Sequence, residues 1–150
     1  MKTCAAFRTL WAGLLTAAFL SLHAAEPPVV SIVTVDADAS EIPPMLPAFD
    51  TAKFRLERTG EAATELTVFF SVGGTAEAGK DYRPLGRSAV FPAGARTTDL
   101  DVVVLDNLLV EGDESVVVKL EPDPSMGPIE RYRLDLSRRV AKAVIHDNET

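Results

Sequence analysis

The 150-residue chain has few of the side chains on which thiol and histidine enzymes depend. It contains one cysteine, Cys4, and two histidines, His23 and His146. Cys4 and His23 both lie within the first 25 residues, which do not read as part of a folded domain. A domain without cysteine has no disulfide, no thiol nucleophile and no lipid-bearing cysteine, so its stability depends on its core or on a bound metal. The His and Cys clusters that bind zinc or copper are also missing.

The N-terminal segment has the pattern of an export signal. Lys2 and Arg8 make the start positive, residues 10–22 carry no charge, and Ala24 and Ala25 precede a polar, proline-rich stretch. This order predicts a secretory signal peptide over residues 1–25. The apolar run is short for a transmembrane helix, and an uncleaved N-terminal membrane anchor is the alternative. We therefore expect one exported domain, residues 26–150, secreted or periplasmic, with no transmembrane span after cleavage.

Basic charge is scarce in this expected mature chain. Without Lys2 and Arg8, 13 basic residues face 22 acidic ones, a net charge of −9. Nucleic acid binding needs a basic surface, so nucleic acid is not an expected partner. An acidic surface instead suits a cation.

No stretch shows the 3.6-residue stripe of an amphipathic helix, and alternation with period two dominates. Leu66, Val68, Phe70 and Val72, for example, alternate with Thr67, Phe69 and Ser71, which indicates a strand with one buried face. Residues 36–50, with three prolines, are predicted to be irregular. The pattern predicts an all-β, seven-stranded antiparallel immunoglobulin-like Greek-key sandwich. Its strands fall at about 29–35, 52–58, 64–72, 87–91, 98–105, 114–121 and 139–146, with a further short one at 130–136.

The acidic residues sort to one end of this predicted sandwich. Successive antiparallel strands reverse direction, so the loops after strands one, three and five share an end with the chain after strand seven. A hard cation with six to eight oxygen ligands, such as calcium, would neutralise the acids there. The alternative is a set of acidic loops that only face water. The twelve carboxylates are those of Asp36, Asp38, Glu41, Asp50, Glu77, Asp81, Asp106, Glu111, Asp113, Glu114, Asp147 and Glu149.

Five segments in order resemble the successive motifs of the Calx-beta domain family. They are FRLERTG at 54–60, GGTAEAGKDY at 73–82, VFPAG at 90–94, LDNLLVEGDE at 105–114 and VIHDNE at 144–149. The resemblance extends over residues 29–149. This family includes the calcium-sensing domains of sodium–calcium exchangers and a domain of integrin β4. The resemblance implies a seven-stranded sandwich with calcium sites between the loops at one end, which is the end that holds the acids.

The resemblance also implies a set of metal ligands. Asn107 and Asn148 stand where the family often has Asp, and each exchange removes one negative charge. Ligand charge tunes calcium affinity, so we expect the weak affinity of extracellular modules, roughly 10⁻⁴–10⁻³ M. Leu109 would contribute a main-chain carbonyl. The expected ligands are Glu41, Asp81, Asp106, Asn107, Glu111, Glu114, Asp147, Asn148 and Glu149.

These features predict an exported calcium-binding module that acts in cell-surface or extracellular adhesion or communication, with calcium rigidifying the loops at one end. Its expected partners are calcium and another surface or matrix protein. The alternative is a calcium-independent immunoglobulin-like spacer or protein-interaction domain. An enzyme is not expected, because His146 is the single histidine of the mature chain and its serines lie in no nucleophile motif.

Overall fold

The computed structural model of the chain describes residues 26–41, 50–125 and 130–148. Within these residues the chain forms nine strands, in most of which buried and exposed side chains alternate. Val, Phe and Thr dominate these segments and suit a pleated surface with one buried face. No described residue is helical. The strands are β1 Val29–Asp36, β2 Asp38–Ser40, β3 Thr51–Thr59, β4 Leu66–Gly74, β5 Ser88–Phe91, β6 Thr97–Val103, β7 Glu114–Leu120, β8 Arg133–Leu134 and β9 Val140–His146.

The strands form two sheets that pack as a sandwich. Sheet I has the order β6-β3-β1-β8, and sheet II has the order β2-β9-β7-β4-β5. The predicted all-β sandwich is confirmed, with two corrections. The count is nine strands within the described residues, because β2 adds to the seven long strands and to the short strand expected at 130–136, which is β8. The sheets are also mixed, because β1 pairs with β8, and β2 with β9, in parallel.

The segment after β1 differs from the prediction of a wholly irregular 36–50 region. The chain leaves sheet I at Ala37, and residues 38–40 join the edge of sheet II as β2. Ala39 is completely buried there, and the Glu41 amide donates to the carbonyl of His146 at 3.0 Å. This crossing brings Glu41 beside the end of β9. Residues 42–49, with the three prolines, lie outside the described residues.

The core lies between the inner faces of the two sheets. On β3 the inward positions Ala52, Phe54 and Leu56 have no exposed surface, as expected from the period of two. Burying each large apolar side chain stabilises the fold by about 1.5–3 kcal/mol. The aromatic side chains of Phe54 and Phe91 are fully buried.

Arg58 continues the inward face of β3 and is 3% exposed. Its guanidinium lies 5.2 Å from the centre of the Phe91 ring. The charge is satisfied by main-chain carbonyls from the connections after β3 and β5, so one side chain ties two loops together. These carbonyls are Ala95 at 2.6 Å, Ala62 at 2.8 Å, Thr64 at 2.9 Å and Pro92 at 3.1 Å.

Gly74 is the last residue of β4 and lies against β7. Both Gly73 and Gly74 belong to the strand. Gly74 has φ +116°, and a Cβ at this position would lie 2.0 Å from the carbonyl oxygen of Ser115. The glycine is required by the close approach of the neighbouring backbone.

Candidate metal centre

The predicted ligands meet at one end of the sandwich, in a cluster that we call the acidic rim. They come from the end of β2, the connections β4–β5 and β6–β7, the start of β7 and the residues after β9. Glu149 lies outside the described residues. The other eight define the acidic rim: Glu41, Asp81, Asp106, Asn107, Glu111, Glu114, Asp147 and Asn148.

Asp81 is the most rigidly held member of the rim. Its amide donates to the Glu77 carbonyl at 3.0 Å, and its own carbonyl accepts from Leu105 at 2.8 Å. The side-chain Oδ2 accepts the Glu77 amide at 2.6 Å. The residue is 2% exposed, and Oδ1 accepts no hydrogen bond from any described residue. A buried carboxylate oxygen without a donor is costly unless something positive approaches it.

Glu111 and Glu114 bring two more carboxylates to Asp81. One oxygen from each of the three side chains lies within 4.8 Å of the other two. The pKa of Glu114 is raised, first by burial and then by a hydrogen bond with the Asp81 side chain and by the charge of Asp81. Burial and a like charge both disfavour the ionised carboxylate, whereas a cation between the three oxygens would favour it. We call these three residues the carboxylate triad. Three oxygen donors without nitrogen or sulfur suit calcium or magnesium.

Asn107 links two parts of the rim through its carboxamide. Its Oδ1 accepts the Leu109 amide at 2.7 Å. Its Nδ2 donates to Glu41 Oε1 at 3.1 Å and to Glu111 Oε2 at 3.4 Å. The main chain of Leu109 thus contacts the rim through its amide. That its carbonyl is a metal ligand stays a prediction.

Asn148 makes a second link of the same kind. Its Nδ2 donates to the main-chain carbonyl of Glu41 at 2.7 Å and to Asp106 Oδ1 at 3.2 Å. The residue before it, Asp147, holds the β6–β7 connection, because its Oδ2 accepts the amides of Glu111 at 2.7 Å and Gly112 at 2.8 Å. Both side chains thus fix loop backbone that carries other rim residues.

Two contacts of the rim were not anticipated from the sequence. Lys80 Nζ lies 2.8 Å from Glu111 Oε1, and this contact raises the pKa of Lys80. The ring of His146 lies between Asp38 and Asp113, with Nε2 and Nδ1 each 3.1 Å from a carboxylate oxygen, and these contacts raise the His146 pKa. A doubly protonated imidazole donates to both acids. Asp38 reaches His146 because β2 pairs with β9. The sequence predicted an irregular segment there and therefore did not indicate this contact.

A family comparison agrees with this architecture. The model of the Calx-beta domain matches residues 47–149. The chain belongs to the Calx-beta domain family. The match confirms the resemblance of the five motifs and covers every residue of the acidic rim except Glu41.

Solved Calx-beta domains share the sandwich. The chain is 23% identical to the apo form of the Calx CBD1 domain, with a TM-score of 0.56, over 82% of this chain and 99% of that one. For the Calx CBD2 domain the identity is 15% and the TM-score 0.54, over 85% and 91%. The calcium binding domain CBD12 of CALX1.1 is 24% identical with a TM-score of 0.50, and 77% of this chain covers 44% of it. No curated protein matches the chain.

These comparisons concern the domain and not its surroundings. The expectation of a single secreted module is not borne out by them, and the predicted signal peptide, residues 1–25, lies outside the described residues. Within the described part of the chain, no helix is long and apolar enough to span a bilayer.

Proposed function

We propose that this Calx-beta domain binds calcium at the acidic rim, and that the ion orders the loops at that end of the sandwich. The observation that carries the proposal is the carboxylate triad, Asp81, Glu111 and Glu114, with one oxygen of each within 4.8 Å of the others. Asp81 also has a buried oxygen, Oδ1, that accepts no hydrogen bond from the described residues and that a cation would satisfy.

Calcium fits this set better than other common metals. The triad offers only carboxylate oxygens, and the chain has no cysteine outside Cys4. Both nitrogens of His146 are already in contact with Asp38 and Asp113. Calcium accepts six to eight oxygens in flexible geometry, whereas magnesium demands a near-ideal octahedron and retains its waters. The name of one structural relative, a calcium binding domain, supports the same ion.

The three acids would contribute differently. Asp81 is positioned by the backbone around it, so its carboxylate needs little rearrangement to bind an ion. Glu111 lies on the exposed β6–β7 connection and Glu114 begins β7. An ion shared by the three would join two loops to sheet II. The sequence-based assignment of Glu41, Asp106, Asn107, Asp147, Asn148 and Glu149 as further ligands stays a prediction.

We propose export and a role in cell-surface or extracellular contact for the same domain. The signal-like pattern of residues 1–25 supports export. Three consecutive apolar side chains next to the triad support contact with a partner, because Leu108, Leu109 and Val110 are 88%, 51% and 70% exposed. Cell fractionation and the N-terminal sequence of the processed protein test the export proposal. A protein retained in the cytoplasm with Met1 intact would contradict it.

The calcium proposal is tested by thermal unfolding of the purified protein in chelator and then across a calcium titration. A ligand specific for the folded state stabilises it by about 2.7 kcal/mol at a hundred times Kd. We expect a saturable rise in the melting temperature, with half-saturation at roughly 10⁻⁴–10⁻³ M. Magnesium at equal concentration should produce a smaller rise.

Variants locate the site. Asp81→Asn and Glu114→Gln keep the size of the side chain and an acceptor oxygen but remove one charge each, so both should abolish most of the calcium response. Asp99→Asn is the matched control, because Asp99 pairs with Arg55 on the outer face of sheet I. A melting temperature that stays flat through several millimolar calcium would refute the proposal. An equal loss in Asp99→Asn would show that the response is not specific to the triad.

A further inference from the structure

The chain contains only two carboxamide side chains, Asn107 and Asn148, and no glutamine. Both belong to the acidic rim. Each directs its amide nitrogen to two oxygens that belong to different segments of the chain. This placement is the starting point for an inference that rests on the proposed calcium function.

The orientation of each carboxamide is fixed by its surroundings. Asn107 Oδ1 accepts the Leu109 amide at 2.7 Å, so its nitrogen must be the atom that faces Glu41 and Glu111. Asn148 faces a main-chain carbonyl and the Asp106 carboxylate, which both accept hydrogen bonds. Only the nitrogen can bond to two acceptors, so the network leaves one assignment in each case.

The two amide groups connect the parts of the rim that a bridging cation would connect. Asn107 joins the carboxylate of Glu41, after β2, to that of Glu111 on the β6–β7 connection. Asn148 joins the residues after β9 to both of those segments. Each amide presents hydrogens with partial positive charge to carboxylate oxygens, and does so without adding a charge to the rim.

We infer that Asn107 and Asn148, contrary to the ligand role expected from the sequence, take the place of a bridging cation around Glu41 and Asp106. The carboxylate triad is then the one cation position that remains in the described part of the rim. The Glu41 side of the rim keeps its shape without metal, and calcium orders mainly the triad side. The two residues thereby set how many ions the domain binds.

The test converts the two amides into carboxylates. Asn107→Asp replaces the donor with a charge 3.1 Å from Glu41 Oε1 and 3.4 Å from Glu111 Oε2, if the geometry is kept. Asn148→Asp does the same beside Asp106. Like charges so close repel and disfavour the metal-free fold, whereas they add ligand charge for calcium. Asn107→Ala is the matched control, because it removes the link without adding charge.

Equilibrium dialysis against radioactive calcium gives the number of ions bound, and thermal unfolding in chelator gives the stability of the metal-free state. We expect one ion per wild-type chain and two in the double variant, with a lower melting temperature in chelator and a larger rise on calcium addition. Asn107→Ala should melt lower in chelator and still bind one ion. The single Asp variants, measured in the same way with calcium present, decide the question if the double variant does not fold.

The outcomes separate this inference from the calcium proposal. One ion in every protein, with equal melting temperatures in chelator, would overturn the inference and leave the proposed function intact. No ion in the wild type but binding in the double variant would refute calcium binding by this chain and support the substitution of amides for calcium. A double variant that binds no more calcium than Asn107→Ala would also overturn the inference.

Discussion

Arg58→Met tests whether the buried Arg58 guanidinium, whose hydrogen-bond acceptors are all carbonyls, stabilises the loops at the end of the sandwich opposite the acidic rim. Methionine retains an unbranched apolar side chain against Phe91 but removes all the N–H donors. The carbonyl oxygens of Ala62, Thr64, Pro92 and Ala95 lose the guanidinium as a donor. Those of Ala62 and Pro92 still accept the main-chain amides of Gly94 and Ala95. The two loops would then be held to β3 mainly by main-chain bonds such as that from the Arg58 amide to Arg96.

The expected loss is worked from those bonds. A buried polar group left without a partner costs about 1–3 kcal/mol, and partly buried groups cost less because water reaches them. Release of a buried charge offsets part of this cost. We expect a net destabilisation of about 3 kcal/mol, within the range of mutations that break a buried network. For a domain of this size that corresponds to a melting temperature lower by about 10 °C.

The assay is urea and thermal unfolding of wild type and Arg58→Met in chelator and in saturating calcium. Arg55→Met is the control on the same strand, because Arg55 forms an exposed pair with Asp99 and such pairs contribute little. Calcium should raise both melting temperatures equally, since distant sites act additively. A variant as stable as the wild type would refute the assigned role of the four carbonyl bonds.

Two further predictions concern β4 and the connection after β7. Gly74→Ala should prevent β4 and β7 from closing at Ser115 and yield little folded protein, as measured by soluble expression and circular dichroism. Asp123 has its pKa held far below its usual value of 3.8, first by Arg131. Because this pKa is depressed, the stabilisation is present above about pH 4 and is lost as pH falls towards the folded-state pKa. Asp123→Asn should therefore lower the free energy of unfolding at pH 7, as measured by urea unfolding. The difference from the wild type should become smaller below pH 4. A difference that stays constant from pH 7 to pH 2 would contradict this.

Much of the sandwich was predictable because burial alternates along several of its long strands, such as β3 and β9. The inward positions of β3 follow from the period alone, and the same parity places Arg58 inside, although its charge argues for the surface. The short strands were not predictable in full, since two or three residues carry no period. β2 contributes a single buried side chain, Ala39, and its pairing depends on where β9 ends.

The sequence predicted which residues lie at the candidate site, but not which of them contact each other. Strand direction sends Asp81, Glu111 and Glu114 to one end, whatever the loop conformation. The contacts of Lys80 and Asn107 depend on the conformation of the irregular β6–β7 connection. In such a segment the number of residues between two positions does not predict how far apart they lie. The difference between an Asn that ligates a cation and an Asn that replaces one lies in which atom faces the carboxylates, and only the folded loop shows this.

The parallel pairing of β2 with β9 has a mechanical consequence. Tension applied at residue 29 and residue 148 would draw these two strands past each other lengthwise, so their hydrogen bonds would have to break together and not one after another. Glu41 and Asn148 are joined just beyond that pairing, at the point where such sliding would begin. A bond at this place, whether through an amide or an ion, would resist stretching of the domain along these two strands.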